Sequence, residues 1–379
     1  MEILLRVPAR TLVRFKCVSK HWLALISDPK FCHRHTLRNQ NSSISAVFGD
    51  RSIDLFSFIF SLDHDRSGSN HGNHNPRPSR CNPLNFVQNQ HDPIEIIHSC
   101  NGLFLCRPIN ATSTSRTPYF VLNPTTNQFL TLTIPPAAAA TSNGQQIQTH
   151  IIGCAVAFDP SKSPHYKVIC LETTTGHKYC PYYQIQIYSS ETRSWRLLSS
   201  TFIRQDQTLY EQGVYWNGAI HWIGLVCEMS YYQVDEELVG LVDSPPHCYE
   251  KKWNHRMYRY FKESTGGHLH LIDIYSPCPT KFEVLEMGRD YSGWFIKYHV
   301  DLDPLCTAYP CFLSEQFVVL FLAQDENEGE SSSLLLHSPG TVISYNLKSK
   351  TSKSFELTID RYLLVGHSNY PYMETLACV

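Results

Sequence analysis

Met1-Glu-Ile-Leu-Leu-Arg-Val-Pro8 opens the chain, followed by Ala9-Arg-Thr-Leu-Val-Arg-Phe-Lys-Cys-Val-Ser-Lys-His-Trp22 and Leu23-Ala-Leu-Ile-Ser-Asp-Pro-Lys-Phe31. Pro8 ends one helical run and suits the start of the next, because proline is tolerated at a helix start and not in its interior. Beyond it Leu12, Phe15, Val18, Trp22 and Leu25 or Ile26 recur at three- and four-residue steps, one apolar stripe on a helix. Arg10, Arg14, Lys16 and Lys20 fill the positions between. Asp28-Pro29 is expected to close the helical stretch, since a residue before proline avoids the α region. Trp22 is expected to be buried, and the piece is too small to hold a core alone.

From about Ser43 the apolar period changes from 3.6 to 2. Short alternating runs rich in Val, Ile, Tyr, Phe and Trp, separated by turn residues, predict a large all-β domain. Asn101-Gly102, Asn217-Gly218 and Gly266-Gly267 each precede a strand and supply the positive φ angles of tight hairpins. A second pattern is a strand, a polar turn and another strand. Val121-Leu-Asn123-Pro-Thr-Thr126-Asn-Gln-Phe129 resembles Ile187-Tyr-Ser189-Ser-Glu-Thr192-Arg-Ser-Trp195, with a weaker copy at Ser344-Tyr-Asn346-Leu-Lys-Ser349. The irregular spacing suits four-stranded sheets with loop insertions, so a β-propeller-like ring is favoured over a β-sandwich pair. Residues 67–91, 135–148 and 324–333 read as solvated insertions.

The order of residues from Glu2 to Phe31 is similar to the F-box of plant F-box proteins. Asn101-Gly-Leu-Phe-Leu105, Phe120-Val-Leu-Asn-Pro-Thr-Thr126 and Ala157-Phe-Asp-Pro160 resemble the F-box-associated and kelch-like regions that follow it. The resemblance implies an α+β multidomain chain, with a short helical F-box at 1–40 and a β-propeller-like domain at 41–379. That family's first helix usually begins earlier, with a Leu-Pro pair and acidic residues, so the F-box here is expected to be incomplete at its start. The resemblance further implies a Skp-type adaptor bound through Leu4, Leu5, Val7, Pro8, Leu12, Val13, Cys17, Val18 and Trp22. Through that adaptor it implies a cullin-based ubiquitin ligase, with the β domain holding a target protein.

Residues 229–262 combine aromatic anchors with both signs of charge, the side-chain mix of protein interfaces. Tyr231, Tyr232, Trp253, Arg256, Tyr258 and Arg259 are the expected target contacts. Interleaved cations and aromatics also suit nucleic acid, but a net charge of −2 gives no global support for that partner or for an anionic membrane. The apolar run at 317–323 is far short of a membrane span.

Fourteen cysteines without a Cys-x-x-Cys pair, and no secretory layout, predict reduced thiols in a cytoplasmic or nuclear protein. Cys32-His33-Arg-His35 and the pair Cys306 and Cys311 lack a second half at zinc spacing, so no metal and no cofactor is expected. Gly-x-Ser-x-Gly, a phosphate-cradling glycine loop and His-Glu-x-x-His are absent, so no catalytic residue is assigned. The competing reading is a stand-alone β-propeller enzyme or sugar-binding module whose first helices cap the ring.

Overall fold

The computed structural model describes residues 2–39, 46–50, 55–58, 85–88, 94–109, 117–133, 141–142, 145–146, 149–174, 182–203, 213–225, 227–245, 255–309, 317–324, 332–338, 341–356 and 369–379. A 3-10 turn at Leu4–Arg6 leads into three helices, α1 (Ala9–Phe15), α2 (Lys20–Ile26) and α3 (Pro29–Arg38). The single stripe after Pro8 is therefore two helices, broken at residues 16–19. Ser19 causes the break: its backbone is extended and its Oγ accepts from the Trp22 N–H at 3.2 Å, capping a new helix. Asp28-Pro29 closes the stretch that ends with α2, Asp28 being extended as expected, and also starts a further helix. The Asp28 carboxylate accepts from the Phe31 N–H at 2.9 Å, and Pro29 sits where a helix needs no N–H donor.

Five four-stranded antiparallel sheets then follow one another along the chain, each ordered as a meander. Blade one holds Ile94–Cys100, Leu103–Pro108, Phe120–Asn123 and Gln128–Thr131. Blade two holds Thr149–Ala157, Lys167–Thr174, Tyr182–Ser189 and Ser194–Ile203. Blade three holds Val214–Trp216, Ala219–Ile223, Met229–Gln233 and Leu238–Val242. Blade four holds Arg256–Glu263, Leu269–Tyr275, Lys281–Met287 and Trp294–Asp301. Blade five holds Val318–Gln324, Ser332–Ser338, Thr341–Asn346 and Ser352–Glu356. This is a five-bladed β-propeller behind a short helical module.

The ring is held by apolar layers between successive blades. Leu103 and Val121 share a cluster with Val156 and Val168, and Ile169 and Leu171 share one with Ile220 and Trp222. Trp216 and Met229 pack with Leu269 and Met287, and Tyr260 and Ile272 with Leu320 and Leu336. A three-stranded sheet closes the circle, pairing Ala46–Asp50 with Leu55–Phe58 on one side and Asn369–Tyr372 on the other. Its Val47 joins the cluster of blades four and five, and its Tyr372 packs on Phe104 of blade one. Strands from both ends of the β region thus share one sheet.

The turn signals become specific hairpins. Asn101 (φ 45°) and Gly102 (φ 84°), like Asn217 (φ 50°) and Gly218 (φ 78°), join first to second strands. The polar-turn repeat is the link from third to fourth strand in blades one, two and five. Asn127, Arg193 and Lys350 there take positive φ, and Asn123 Oδ1 and Asn346 Oδ1 accept from backbone N–H groups inside their own turns. Glu237 marks the same turn in blade three. One pair departs from the reduced-thiol expectation. Cys154 and Cys170 lie directly opposite on neighbouring strands of blade two and are joined by a disulfide.

Burial in the blades holds His98 at about 4, His221 at about 3 and His337 at about 4. The His221 Nδ1 donates to the Val214 carbonyl, and its Nε2 is hydrogen-bonded to the Tyr291 hydroxyl at 3.0 Å. An unfolded histidine titrates near 6.5, so the unfolded chain takes up more protons between that value and the folded ones. Their stabilisation is therefore complete above pH 6.5 and is lost as pH falls. Glu263 opposes this, because burial pushes it up to about 8 and folding gains as pH drops through that value. His35 and His268 are held low by burial as well, so the histidines outnumber Glu263 and stability falls as pH drops below 6.5. Urea unfolding at pH 7 and pH 5.5 checks this; equal midpoints would refute it.

Candidate functional site

The helical module has a small core and several exposed apolar side chains. Leu5, Ala9, Leu12, Ile26, Phe31 and Cys32 are buried together. Leu5 and Leu12, expected to touch an adaptor, are inside this core and present no surface, because the division into α1 and α2 folds them inward. Leu4, Val7 and Val13 pack at its margin, and Pro8, Cys17 and Val18 are exposed. Trp22 is half-buried, with its ring edge-on to Phe15 at 5.3 Å, where the sequence predicts full burial. Val18 at 65% and Leu23 at 48% flank it, and Ile3 is 79% exposed. Leu23 and Ile3 lie off the three- and four-residue stripe, so the periodicity passes over them.

The module's core is completed by the other end of the chain. Leu376, 1% exposed, enters the cluster of Leu5, Leu12 and Phe31. Its neighbours strap it to blade one. Asn123 Nδ2 donates to the carbonyls of Thr375 (3.0 Å) and Ala377 (2.9 Å), and the Thr375 N–H donates to Thr125 Oγ1 at 3.1 Å. Thr36 of α3 meets Thr375 hydroxyl to hydroxyl at 3.2 Å, and Arg10 pairs with Glu374 at 3.0 Å. Gly102 allows the close pass, since a Cβ there would lie 2.6 Å from the Met373 carbonyl. Asn123 and Thr125 belong to the polar-turn repeat, so that repeat supplies the anchor as well as the turn. A cleft of about 150 Å3 lies at this junction, lined by His35, Asn39, Asn101, Asp159 and Glu374 among others.

Strand alternation sorts the connections into two faces. First-to-second and third-to-fourth turns lie on the face that carries the helical module. Contacts among them confirm the grouping: Asn101 donates to the Phe158 carbonyl, Lys162 pairs with Asp235 at 3.2 Å, and Asn217 donates to the Arg289 carbonyl. The remaining strand ends, including Val242 and Arg256, open on the opposite face.

The expected target contacts do not form one exposed patch. Tyr232 and Tyr258 are buried, and the Tyr258 hydroxyl donates to the Val319 carbonyl at 2.7 Å. Arg259 is locked into Asp273 through Nε and Nη2, both at 2.7 Å, with Arg256 at 3.5 Å. Burial alone would push the Asp273 carboxyl up, yet Arg259 and Arg256 hold it below the usual carboxylate range. Arg256 also donates to the Leu225 carbonyl, so the cluster clamps blade three to blade four. Charge alternating with aromatics here marks an inter-blade clamp, which a strand pattern alone does not separate from a surface. Tyr231 is half-buried and stacks on Tyr291 at 4.4 Å. Trp253 lies outside the described residues. Residues 67–84, 89–91, 135–140, 143–144, 147–148 and 325–331 of the expected insertions also lie outside them.

Comparison with known proteins adds to this geometry. The family model of the F-box domain matches residues 1–34, and that of the F-box associated beta propeller domain matches residues 51–235. The chain is 34% identical to the F-box protein At5g07610 of Arabidopsis thaliana, covering 93% of this chain and 83% of that one. It is 25% identical to the F-box/kelch-repeat protein At3g17530 over 64% of this chain and 59% of that one. With the F-box protein CPR1 the figures are 27%, 59% and 51%, all from the same plant. The chain thus spans little more than half the length of the latter two.

Proposed function

Because the chain belongs to the F-box protein family, with an F-box-associated β-propeller, we propose that it is the target-recognition subunit of a Skp–cullin–F-box ubiquitin ligase. The observation that carries this reading is a helical module with exposed apolar side chains, anchored to one face of a propeller. The module would seat a Skp-type adaptor, and through it a cullin. The propeller would hold a target protein away from the adaptor. The chemistry then belongs to other subunits, and this chain contributes proximity. No helix among the described residues is long and apolar enough to cross a membrane. The proposed place of action is the cytoplasm or nucleus, where that machinery works.

Val18→Glu with Leu23→Glu tests the adaptor surface. Both residues are exposed, so the melting temperature is expected to stay within about 2 °C. Capture of a purified Skp-type adaptor is expected to fall at least roughly tenfold, since two apolar contacts are each replaced by a charge. Undiminished capture by the double variant would overturn the assignment of this surface.

A further inference from the structure

The outermost strand of each propeller blade has a free backbone edge, and such edges are normally guarded by charged or polar side chains. Four blades follow the rule. Exposed Gln128 and Thr131 guard blade one, Arg196 blade two, Lys297 and His299 blade four, and Lys353 blade five. Blade three does not. Its outer strand is Leu238-Val-Gly-Leu-Val242, without one polar side chain, and Leu238 is 63%, Val239 40% and Leu241 63% exposed. This strand pairs on its inner side with Met229–Gln233 and with nothing beyond it among the described residues.

We propose that Leu238–Val242 is a docking edge where the target adds an extended segment of about five apolar or β-branched residues bracketed by Lys or Arg. This rests on the target-receptor reading and names the part of the target that is recognised. The unpaired N–H and C=O groups of the edge select an extended strand over a helix. Alternate side chains of that strand would meet Leu238 and Val242 on one face, with the Tyr231 ring packed over Gly240 between them. On the other face they would meet Val239 and Leu241. Charge selects the flanks. Asp235 is engaged by Lys162 and Lys167, and Glu237 by Arg196. Glu236 before the strand and Asp243 after it are exposed, and neither has an ion-pair partner among the described residues. They leave a carboxylate at each end for a basic residue of the incoming segment.

The test uses the full chain and two labelled peptides, Lys-Val-Thr-Val-Thr-Val-Lys and the same core flanked by Glu, with binding read by fluorescence anisotropy. The Lys-flanked peptide is expected to bind at least roughly tenfold tighter, with the preference shrinking in high salt. Leu241→Lys should abolish that binding without moving the melting temperature, and N-methylation of alternate peptide amides should do the same. Equal binding of both peptides, or indifference to Leu241→Lys, would overturn the proposal. So would a dimer of the chain that Leu241→Lys dissolves, because the occupant would then be a second copy. Adaptor capture is measured on the same preparation. Intact peptide selectivity without adaptor capture supports this edge and overturns the ligase reading, whereas adaptor capture without selectivity overturns only the edge.

Discussion

Leu376→Asp is expected to release the helical module from the propeller and abolish adaptor capture. Leu376 is the buried apolar side chain that the C-terminal strap places in the core of Leu5, Ala9, Leu12, Ile26, Phe31 and Cys32. A carboxylate there has no cation in the cluster, and burying an uncompensated charge costs about 3–5 kcal/mol. A helical piece of this size has no such reserve, since small modules bury too little surface to stand alone. The Arg10–Glu374 pair cannot make up the loss, because partly exposed ion pairs contribute about 1 kcal/mol or less. Limited proteolysis should cut within residues 2–39 while the β domain stays intact. At tenfold per 1.4 kcal/mol, adaptor affinity should drop by about a hundredfold or more. Leu376→Met, which keeps the volume, should behave as the parent chain. Protease resistance and adaptor capture both unchanged in Leu376→Asp would show that the strap is not part of the module's core.

The sequence carried the fold class through periods and turns, because those are local. The 3.6-residue stripe, the change to period 2 and the Asn-Gly hairpins each need only a few neighbouring residues to be read. The polar-turn repeat marked the third-to-fourth strand link at Asn123, Ser189 and Asn346, and missed blade three, where Gln233-Val-Asp-Glu-Glu237 makes the turn without Asn or Ser at its start. Ser19 as a cap was also local, yet an apolar stripe that runs through it hides the break. The strap was not legible. Leu376 meets Leu12 across the whole chain, and no spacing links a terminal leucine to an initial helix. The site residues were legible in part. Exposure of Val18 and half-burial of Trp22 follow from the α1–α2 angle, which periodicity does not contain. Arg256 and Arg259 were read as exposed because cations usually are, whereas their partner Asp273 sits on the neighbouring strand, where Arg259 pairs directly opposite it.

Asp273→Ala is expected to weaken the propeller far more than any surface change in residues 229–262. Removing the carboxylate leaves Arg259 and Arg256, both at about a tenth exposed or less, facing each other without a counter-ion. Breaking such a buried pair from one side costs about 3–5 kcal/mol. For a domain of this size that lowers the melting temperature on the order of 10 °C. The carbonyls of Gly224 and Leu225 still accept from the two guanidinium groups, which keeps the loss finite. Replacing the whole cluster, Asp273→Leu with Arg259→Met and Arg256→Met, should recover much of it, since well-packed apolar side chains avoid the desolvation that the charges suffer. Met257, exposed on the same strand, is the control, and Met257→Ala should leave the melting temperature unchanged. The cycle also decides what Arg256 and Arg259 are for. If Arg256→Ala with Arg259→Ala cuts target capture while the melting temperature holds, they are surface anchors and the clamp is wrong. If stability falls first and capture follows it, they join blade three to blade four, and the target contacts lie elsewhere on the ring.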